Sequence, residues 1–352
     1  MKIGFYGYDA AFGQLFPPIV GAAEAGGHKV ILLPPQVSGV ARDRAAELLD
    51  CHLVLMGLSS YQTQEEIDLA EVLMGRNIPV VVIEDVPGSC LRPKAKDFAP
   101  WAPGLIIALG SVRDSAASFG YRHDRIWYVG PPPHWGASYS QMMNVDVRAE
   151  RARVPADGFL VFVPGGKNPL ITNTLLHHTI NAGRELWGEL FLLGFVPHPG
   201  EKAEKPEEES VFARAFEERS VMLEGVRCAD MSRFKNPQRY AIANLVITTG
   251  GPTETIAAAY ARMTNVVYYR DAVVMEWLAQ SGVQNGRWFV PDLGGCFLAG
   301  PDYFVETVHF ARISVAKRDI RESQERNFPL PESWDTAPAI VKVLEDIAEE
   351  TQ

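Results

Sequence analysis

The feature that most constrains this chain is an alternation. Short, continuously apolar runs of β type recur along it, and segments of helical spacing separate them. KIGFYGY, HKVILLPP, CHLVLMGLS, PVVVIEDV, GLIIALGS and RIWYVG are the first six runs. FPPIVGAAEAGG, VARDRAAELLD, QEEIDLAEVLMGRN and the segment from Arg113 to Phe119 read as helices among them. A strand that is apolar along its whole length is buried on both faces. Helices alternating with such strands cover the two faces of a parallel sheet. The pattern predicts an α/β fold.

The alternation lapses after Gly130. PPPHWGASYSQMMNVDVRAERARVPADG is rich in proline and polar residues and reads as a linker. The pattern restarts with FLVFVPGG. ELFLLGFV, VMLEGV, LVITTGG and NVVYYRD read as further strands, and TNTLLHHTINAGRELWG and ESVFARAFEER as helices. The acidic stretch EKAEKPEEES reads as a solvated loop before a helix. DYFVETVHFARISVAKRDIRESQERN has the spacing of one long helix, and PAIVKVLEDIAEE of a terminal helix started by Pro338. A chain of 352 residues is long for one core and suits two. The expectation is two doubly wound, Rossmann-like domains, 1–145 and 158–310, with a linker over 146–157 and a helical tail over 311–352. Ligands of such sheets bind beyond the C-terminal ends of the strands, and two domains would share a cleft.

Composition removes several classes of function. The formal net charge of −10 counts against a nucleic-acid partner, which needs a positive face. MKIGFYGYDAAFG lacks the apolar core of a targeting segment, and no run approaches the ~18 apolar residues that span a bilayer. Cys51, Cys90, Cys228 and Cys296 are far apart and form no C-x-x-C pair, which suggests buried thiols in a reducing, cytoplasmic setting. No G-x-G-x-x-G or P-loop occurs. With no D-x-D pair and no His/Cys cluster of zinc spacing, neither a metal nor a cofactor is expected. His177 and His178 are adjacent within a helix and read as structural.

Glycine-rich turns at strand ends are the candidate binding elements. In ITTGGPTET, Pro252 suits the first helical position, Gly251 the cap and Glu254 the third helical position. The free N–H groups and positive end of that helix could receive a diphosphate. Gly250 and Gly251 would permit close approach, and Thr249, Thr253 and Thr255 would add hydroxyl donors. Tight packing explains the glycines equally well. In FLVFVPGGKNP, Gly165 and Gly166 precede Lys167, whose ammonium could meet a phosphate. A tight turn with a surface lysine is the plainer alternative. GYDAAFGQLFPP forms a third turn, between the first strand and the first helix.

Two of these stretches carry a family resemblance. FGQLFPPIVGAAEAGGHKV resembles the G-G-H-x-x-P loop, helix and strand start of the GlcNAc transferase that makes lipid II. TTGGPTETIAAAYARMTNVVYYRD resembles the nucleotide-diphosphate turn of that enzyme and of lipid-A-disaccharide synthase. The chain thus resembles the GT-B glycosyltransferases and their relative, the non-hydrolysing UDP-GlcNAc 2-epimerase. The resemblance implies that the second domain binds a UDP-sugar or other nucleoside-diphosphate sugar and the first an acceptor. It puts the diphosphate on Thr249, Gly250, Gly251, Pro252, Thr253, Glu254 and Thr255, with Glu254 on the ribose. It puts Gly165, Gly166, Lys167 and Asn168 over the phosphates, Arg270 and Asp271 near the donor sugar, and Val226 and Met231 near the base.

One departure matters. Beside Gly13, Gln14 stands at the family's histidine, and glutamine cannot act as a general base. Asp9, Glu84, Asp85 or His134 must then supply one. For the epimerase, the resemblance rests on Glu84, on His198 in FVPHPG and on Gly250, Gly251 and Glu254 as G-G-x-x-E.

The resulting expectation is a metal-independent, inverting glycosyltransferase of the hexosyl type. The helix end at Gly251–Glu254, with Lys167, would stabilise the departing diphosphate. A UDP-sugar 2-epimerase and a non-catalytic nucleotide-binding protein are the alternatives; Gln14 motivates the second. Sugar transfer to modified DNA bases would need a basic patch, for which Arg92, Lys94 and Lys96 are the candidates. The partners implied are a nucleotide sugar and an acceptor. Neither the acceptor's chemistry nor an oligomeric state is written in the sequence.

Overall fold

The computed structural model of the chain describes residues 1–9, 11–33, 46–59, 63–166, 168–198, 201, 206–249, 252–268 and 293–351. The strands are β1 (Lys2–Tyr6), β2 (Lys29–Leu32), β3 (Leu53–Gly57), β4 (Val80–Ile83), β5 (Gly104–Ile106), β6 (Ile126–Trp127), β7 (Phe159–Pro164), β8 (Phe191–Val196), β9 (Cys228–Ala229), β10 (Leu245–Thr248), β11 (Asn265–Tyr268) and β12 (Phe297–Ala299). The helices used below are α1 (Phe12–Ala25), α2 (Thr63–Met74), α3 (Arg113–Phe119), α4 (Pro133–Met143), α5 (Val147–Arg151), α6 (Pro169–Trp187), α7 (Pro206–Leu223), α8 (Asn236–Ile242), α9 (Pro252–Tyr260), α10 (Phe304–Ala311), α11 (Ser314–Asn327) and α12 (Ala337–Thr351).

Two six-stranded sheets result, and every strand pair in them is parallel. Their orders are β2-β1-β3-β4-β5-β6 and β12-β11-β10-β7-β8-β9. Both are doubly wound. In the first sheet the order reverses between β1 and β3, and in the second between β7 and β10. At such a point the loops leave toward opposite faces and open a crevice at the C-terminal edge.

Among the described residues, the first compact unit gathers 1–137 and 331–351, and the second 138–268 and 293–330. The expected domain limits shift accordingly. Residues 138–145 group with the second unit, and the expected tail is divided between the two.

The core of the first unit explains why α12 returns to it. Phe12, Leu15, Phe16 and Ile19 of α1 pack with Ile3, Phe5, Leu53 and Leu55 of the sheet and with Ile340, Leu344 and Ile347 of α12. The α12 residues recur at helical spacing, so one face of that helix is apolar. Burying a side chain such as Leu344 contributes about 1.5–3 kcal/mol. His28 pairs with Glu345 at 2.9 Å on the same contact.

Several elements differ from expectation. The proline-rich linker holds α4 and α5. Pro133 is tolerated because it opens α4, where its missing N–H costs nothing. Trp135, Tyr139 and Met142 are buried on one face of α4. Asp146 caps α5 by accepting the Ala149 N–H at 3.0 Å. VMLEGV is not a strand. Val221 to Leu223 end α7, and β9 begins at Cys228. PEEES starts α7 rather than closing a loop. The long helix is two, α10 and α11, broken where Ile313 is extended (φ −69°, ψ 138°). α12 begins at Ala337. VARDRAAELLD falls largely outside the described residues. All four cysteines are free, but Cys228 is exposed. Among the described residues no helix is long and apolar enough to cross a membrane.

Two glycines at the β1/β3 reversal have a packing cause. The Phe12 ring lies over both loops. A Cβ on Gly57 would fall 2.0 Å from that ring and a Cβ on Gly7 2.4 Å from it. Gly57→Ala is expected to destabilise the protein by about 1–3 kcal/mol, as overpacking does. Urea unfolding checks this, and Phe12→Leu in the same chain should recover part of the loss.

Candidate functional site

Each reversal point brings functional groups together, and the second unit is the simpler case. β7 runs into Gly165, whose N–H donates to the Val196 carbonyl at 2.8 Å. A Cβ on Gly165 would lie 2.9 Å from that carbonyl and 3.0 Å from the His198 nitrogen. This glycine is therefore required by the close approach of the loop after β8. Gly166 differs. The nearest atom to a Cβ there is the Thr249 Oγ1, at 3.8 Å, and no positive φ demands glycine. Among the described residues, a Cβ would fit there in ordinary contact, at the point where β7 and β10 part. Thr249, like Thr248 and Thr255, is buried.

The walls of this turn are fixed. The Gly166 N–H donates to the Thr172 hydroxyl at 3.1 Å. Asn168 caps α6 by accepting the Leu170 N–H at 2.9 Å. Beneath lies a buried ion pair that no sequence signal announced. Arg219 of α7 pairs with Glu201, donating from Nη1 to Oε2 at 2.8 Å, and donates from Nε to Asn173 Oδ1 at 2.8 Å. It also reaches the Pro169 carbonyl at 3.4 Å. One guanidinium thus ties the start of α6 to the loop after β8 that carries His198.

Glu254 stands in the first turn of α9 and is half-buried. Loss of hydration pushes its carboxyl above the usual range, and burial, with the Glu254 charge adding to it, raises the phenols of Tyr139 and Tyr240. Met231 follows β9 but is buried, its sulfur 3.0 Å from where a Gly194 Cβ would stand. Val226 precedes β9, at the opposite edge of the sheet from Gly166. It therefore falls outside the group. Lys167, Gly250, Gly251, Arg270 and Asp271 lie outside the described residues; of Pro252 and Thr253 only the helical backbone is described.

In the first unit a buried acid governs the reversal point. Glu66 of α2 has no exposed surface. Its Oε1 accepts the Tyr8 N–H at 2.8 Å and the Ser59 hydroxyl at 2.5 Å. Its Oε2 accepts the Ser59 N–H. The Ser59 oxygen accepts the Asp9 N–H at 2.8 Å. Tyr8 and Asp9 leave β1; Ser59 leaves β3. Glu66 therefore joins the two loops that border the crevice. As one acid on an amphipathic helix, it gave no sign in the sequence of being more than a solvated residue.

With the geometry in view, comparison with known proteins is informative. No family model matches the chain, and no curated protein matches it. Solved structures do match over the whole length. S. aureus MnaA with UDP shares 12% identity, with 98% of this chain and 97% of that one covered and a TM-score of 0.60. UDP-N-acetylglucosamine 2-epimerase from Rickettsia bellii shares 14%, covers 99% and 97%, and also scores 0.60. CalG4, the calicheamicin glycosyltransferase, shares 14%, covers 98% and 98%, and scores 0.58. The fold is GT-B.

Within this GT-B chain the candidate bases separate. Glu84, at the end of β4, is occupied. Its Oε1 accepts the N–H groups of Gly88 at 2.9 Å and Cys90 at 3.1 Å, and its Oε2 that of Ala108 at 3.0 Å. Burial pushes its carboxyl up to about 7 against these donors. Asp85 is buried too, and among the described residues its Oδ1 has no hydrogen-bond partner. Burial raises its carboxyl, the Arg92 charge lowers it, and the Asp9 charge raises it. The Asp9 charge therefore acts on Asp85. Asp9 is half-buried and within reach of solvent. His134 is pushed down to about 4 by burial and is neutral at pH 7. Gly13 and Gln14 are exposed residues in the first turn of α1, not loop residues. Arg92 is buried while Lys94 and Lys96 are exposed, so the three form no surface patch. His178 is structural, its Nε2 3.1 Å from the Tyr268 hydroxyl.

The buried carboxyls set a pH dependence. Burial lifts Glu66 to about 8 and Glu84 to about 7, both from 4.5. Between those values the folded chain holds protons that the unfolded chain has lost, so stability falls as pH rises. His134 acts oppositely, but only between about 4 and 6.5. Thermal unfolding of the first unit is therefore expected at lower temperature as pH rises from about 6.5 to 8. A melting temperature that climbs over that window would contradict this assignment.

Proposed function

We propose that this protein is a metal-independent glycosyltransferase whose second unit takes a UDP-sugar and whose candidate base is Asp9. The observation that carries the proposal is the room for a Cβ at Gly166 beside Thr249, at the strand reversal of a GT-B sheet. Packing forbids a side chain at Gly7, Gly57 and Gly165, whereas among the described residues nothing forbids one at Gly166. MnaA, which shares the fold, is seen with UDP, and CalG4 is a glycosyltransferase. The N-terminus of α9 follows β10 directly, and its positive end favours the charge that grows on a departing diphosphate.

The chemistry balances with residues at hand. The acceptor hydroxyl oxygen forms a bond to the anomeric carbon and gives its proton to the Asp9 carboxylate. The bond from that carbon to the β-phosphate oxygen breaks, and UDP leaves with the electron pair. Asp9 is preferred because both oxygens of Glu84 are held by backbone N–H groups and Asp85 is buried. The same occupation of Glu84 weighs against the epimerase alternative, in which that residue would do the chemistry.

The test is binding and turnover of UDP-sugars. UDP is expected to raise the melting temperature, unchanged by EDTA. Gly166→Ala should leave the free protein as stable as before and weaken UDP by about 1.5–3 kcal/mol, roughly tenfold to a hundredfold in Kd. Incubated alone with the enzyme, UDP-GlcNAc should yield UDP and free sugar slowly. A second UDP-sugar accumulating instead would make the protein an epimerase, and a strict metal requirement would reject the mechanism.

A further inference from the structure

We propose that Glu66 is the positioning residue for Asp9, holding the loops that leave β1 and β3 so that the Asp9 carboxylate stands at the β1/β3 crevice. The proposal rests on the transferase function set out above.

The backbone N–H groups can only donate. The Ser59 oxygen accepts the Asp9 N–H, and its hydroxyl is hydrogen-bonded to Glu66 Oε1. Glu66 thus receives the Tyr8 N–H, the Ser59 N–H and the Ser59 O–H, and passes its hold to Asp9 through that hydroxyl. The Asp9 carbonyl in turn accepts the Phe12 N–H at 3.0 Å, which starts α1. Asp9 is fixed at both ends of its peptide unit. Nothing in the packing of α2 calls for a carboxyl at 66, and an unpaired one there would be costly. What the carboxyl supplies is a set of acceptors for groups on two loops that have no ladder between them. The charged groups around it are Arg92, which lowers both Glu66 and Asp85, and Asp9, which raises Asp85. The Asp9 charge thus acts on a second acid, Asp85, on which Arg92 acts as well.

A mere loop latch would look the same in the fold, so the test reads kinetics. The probe is release of UDP from UDP-GlcNAc with water as acceptor, in wild type, Glu66→Gln, Asp9→Asn and the double variant. Glu66→Gln is expected to lower kcat on the order of 10- to 100-fold, as misplacement of a reacting group does, with KM nearly unchanged. In the Asp9→Asn background it should cost almost nothing further, because the two act as one unit. Ser59→Ala, a milder change, should lower kcat in the same sense. An unchanged kcat in Glu66→Gln, or a full additional loss on top of Asp9→Asn, would overturn the proposal. Should Glu66→Gln fail to fold, Ser59→Ala decides by the same cycle. UDP affinity is measured in parallel: a wild type that binds no UDP would fail the transferase function itself, whereas intact binding with additive losses would fail only the role of Glu66.

Discussion

A parallel strand cannot turn straight back to its neighbour. The chain must cross a face of the sheet, and that crossover has one hand. Most of what is particular to this protein follows. Where the strand order reverses, successive crossovers depart to opposite faces, and a gap opens that neither helix fills. The gap lies between β1 and β3 in one sheet and between β7 and β10 in the other. The residues with polar work to do, Asp9 and Ser59 in one and Gly166 and Thr249 in the other, stand at those gaps. The rest of each strand is spent on burial.

A gap must also be held open in a defined shape, and each unit uses a buried ionisable side chain for this. Arg219 and Glu201 lock the start of α6 to the loop after β8. Glu66 locks the loop after β1 to the loop after β3. Dehydrating such groups costs several kcal/mol, which their partners only partly return. An apolar side chain would pack more cheaply at either place. These groups are better understood as fixing an arrangement than as adding stability.

The sheets were legible because a strand buried on both faces writes itself as an unbroken apolar run. Ten of the twelve described strands fall on runs read as strands from the sequence; the short β9 and β12 do not. Helices were read less well where proline and polarity were taken at face value. Pro133 begins a helix, and the buried spacing of Trp135, Tyr139 and Met142 was present in the letters. The break at Ile313 was not, since both flanks have helical spacing. Glycine turns marked where the sites are, but a glycine's letter does not say why it is there. Gly165 and Gly166 are neighbours, and only contact distances separate the one that packing requires from the one it does not. Glu66 was illegible for another reason: its partners lie 58 and 7 residues away, and only the fold brings them to it.

The first unit is discontinuous, for α12 completes a core whose other parts precede the second unit in the chain. A ribosome releases those parts in order. Until α12 emerges, the core that α1 shares with it is incomplete, while the second unit already has all of its described strands. Maturation of the half that bears Asp9 must therefore wait for that of the half that bears Gly166. An unfinished chain would hold its second unit in shape before its first.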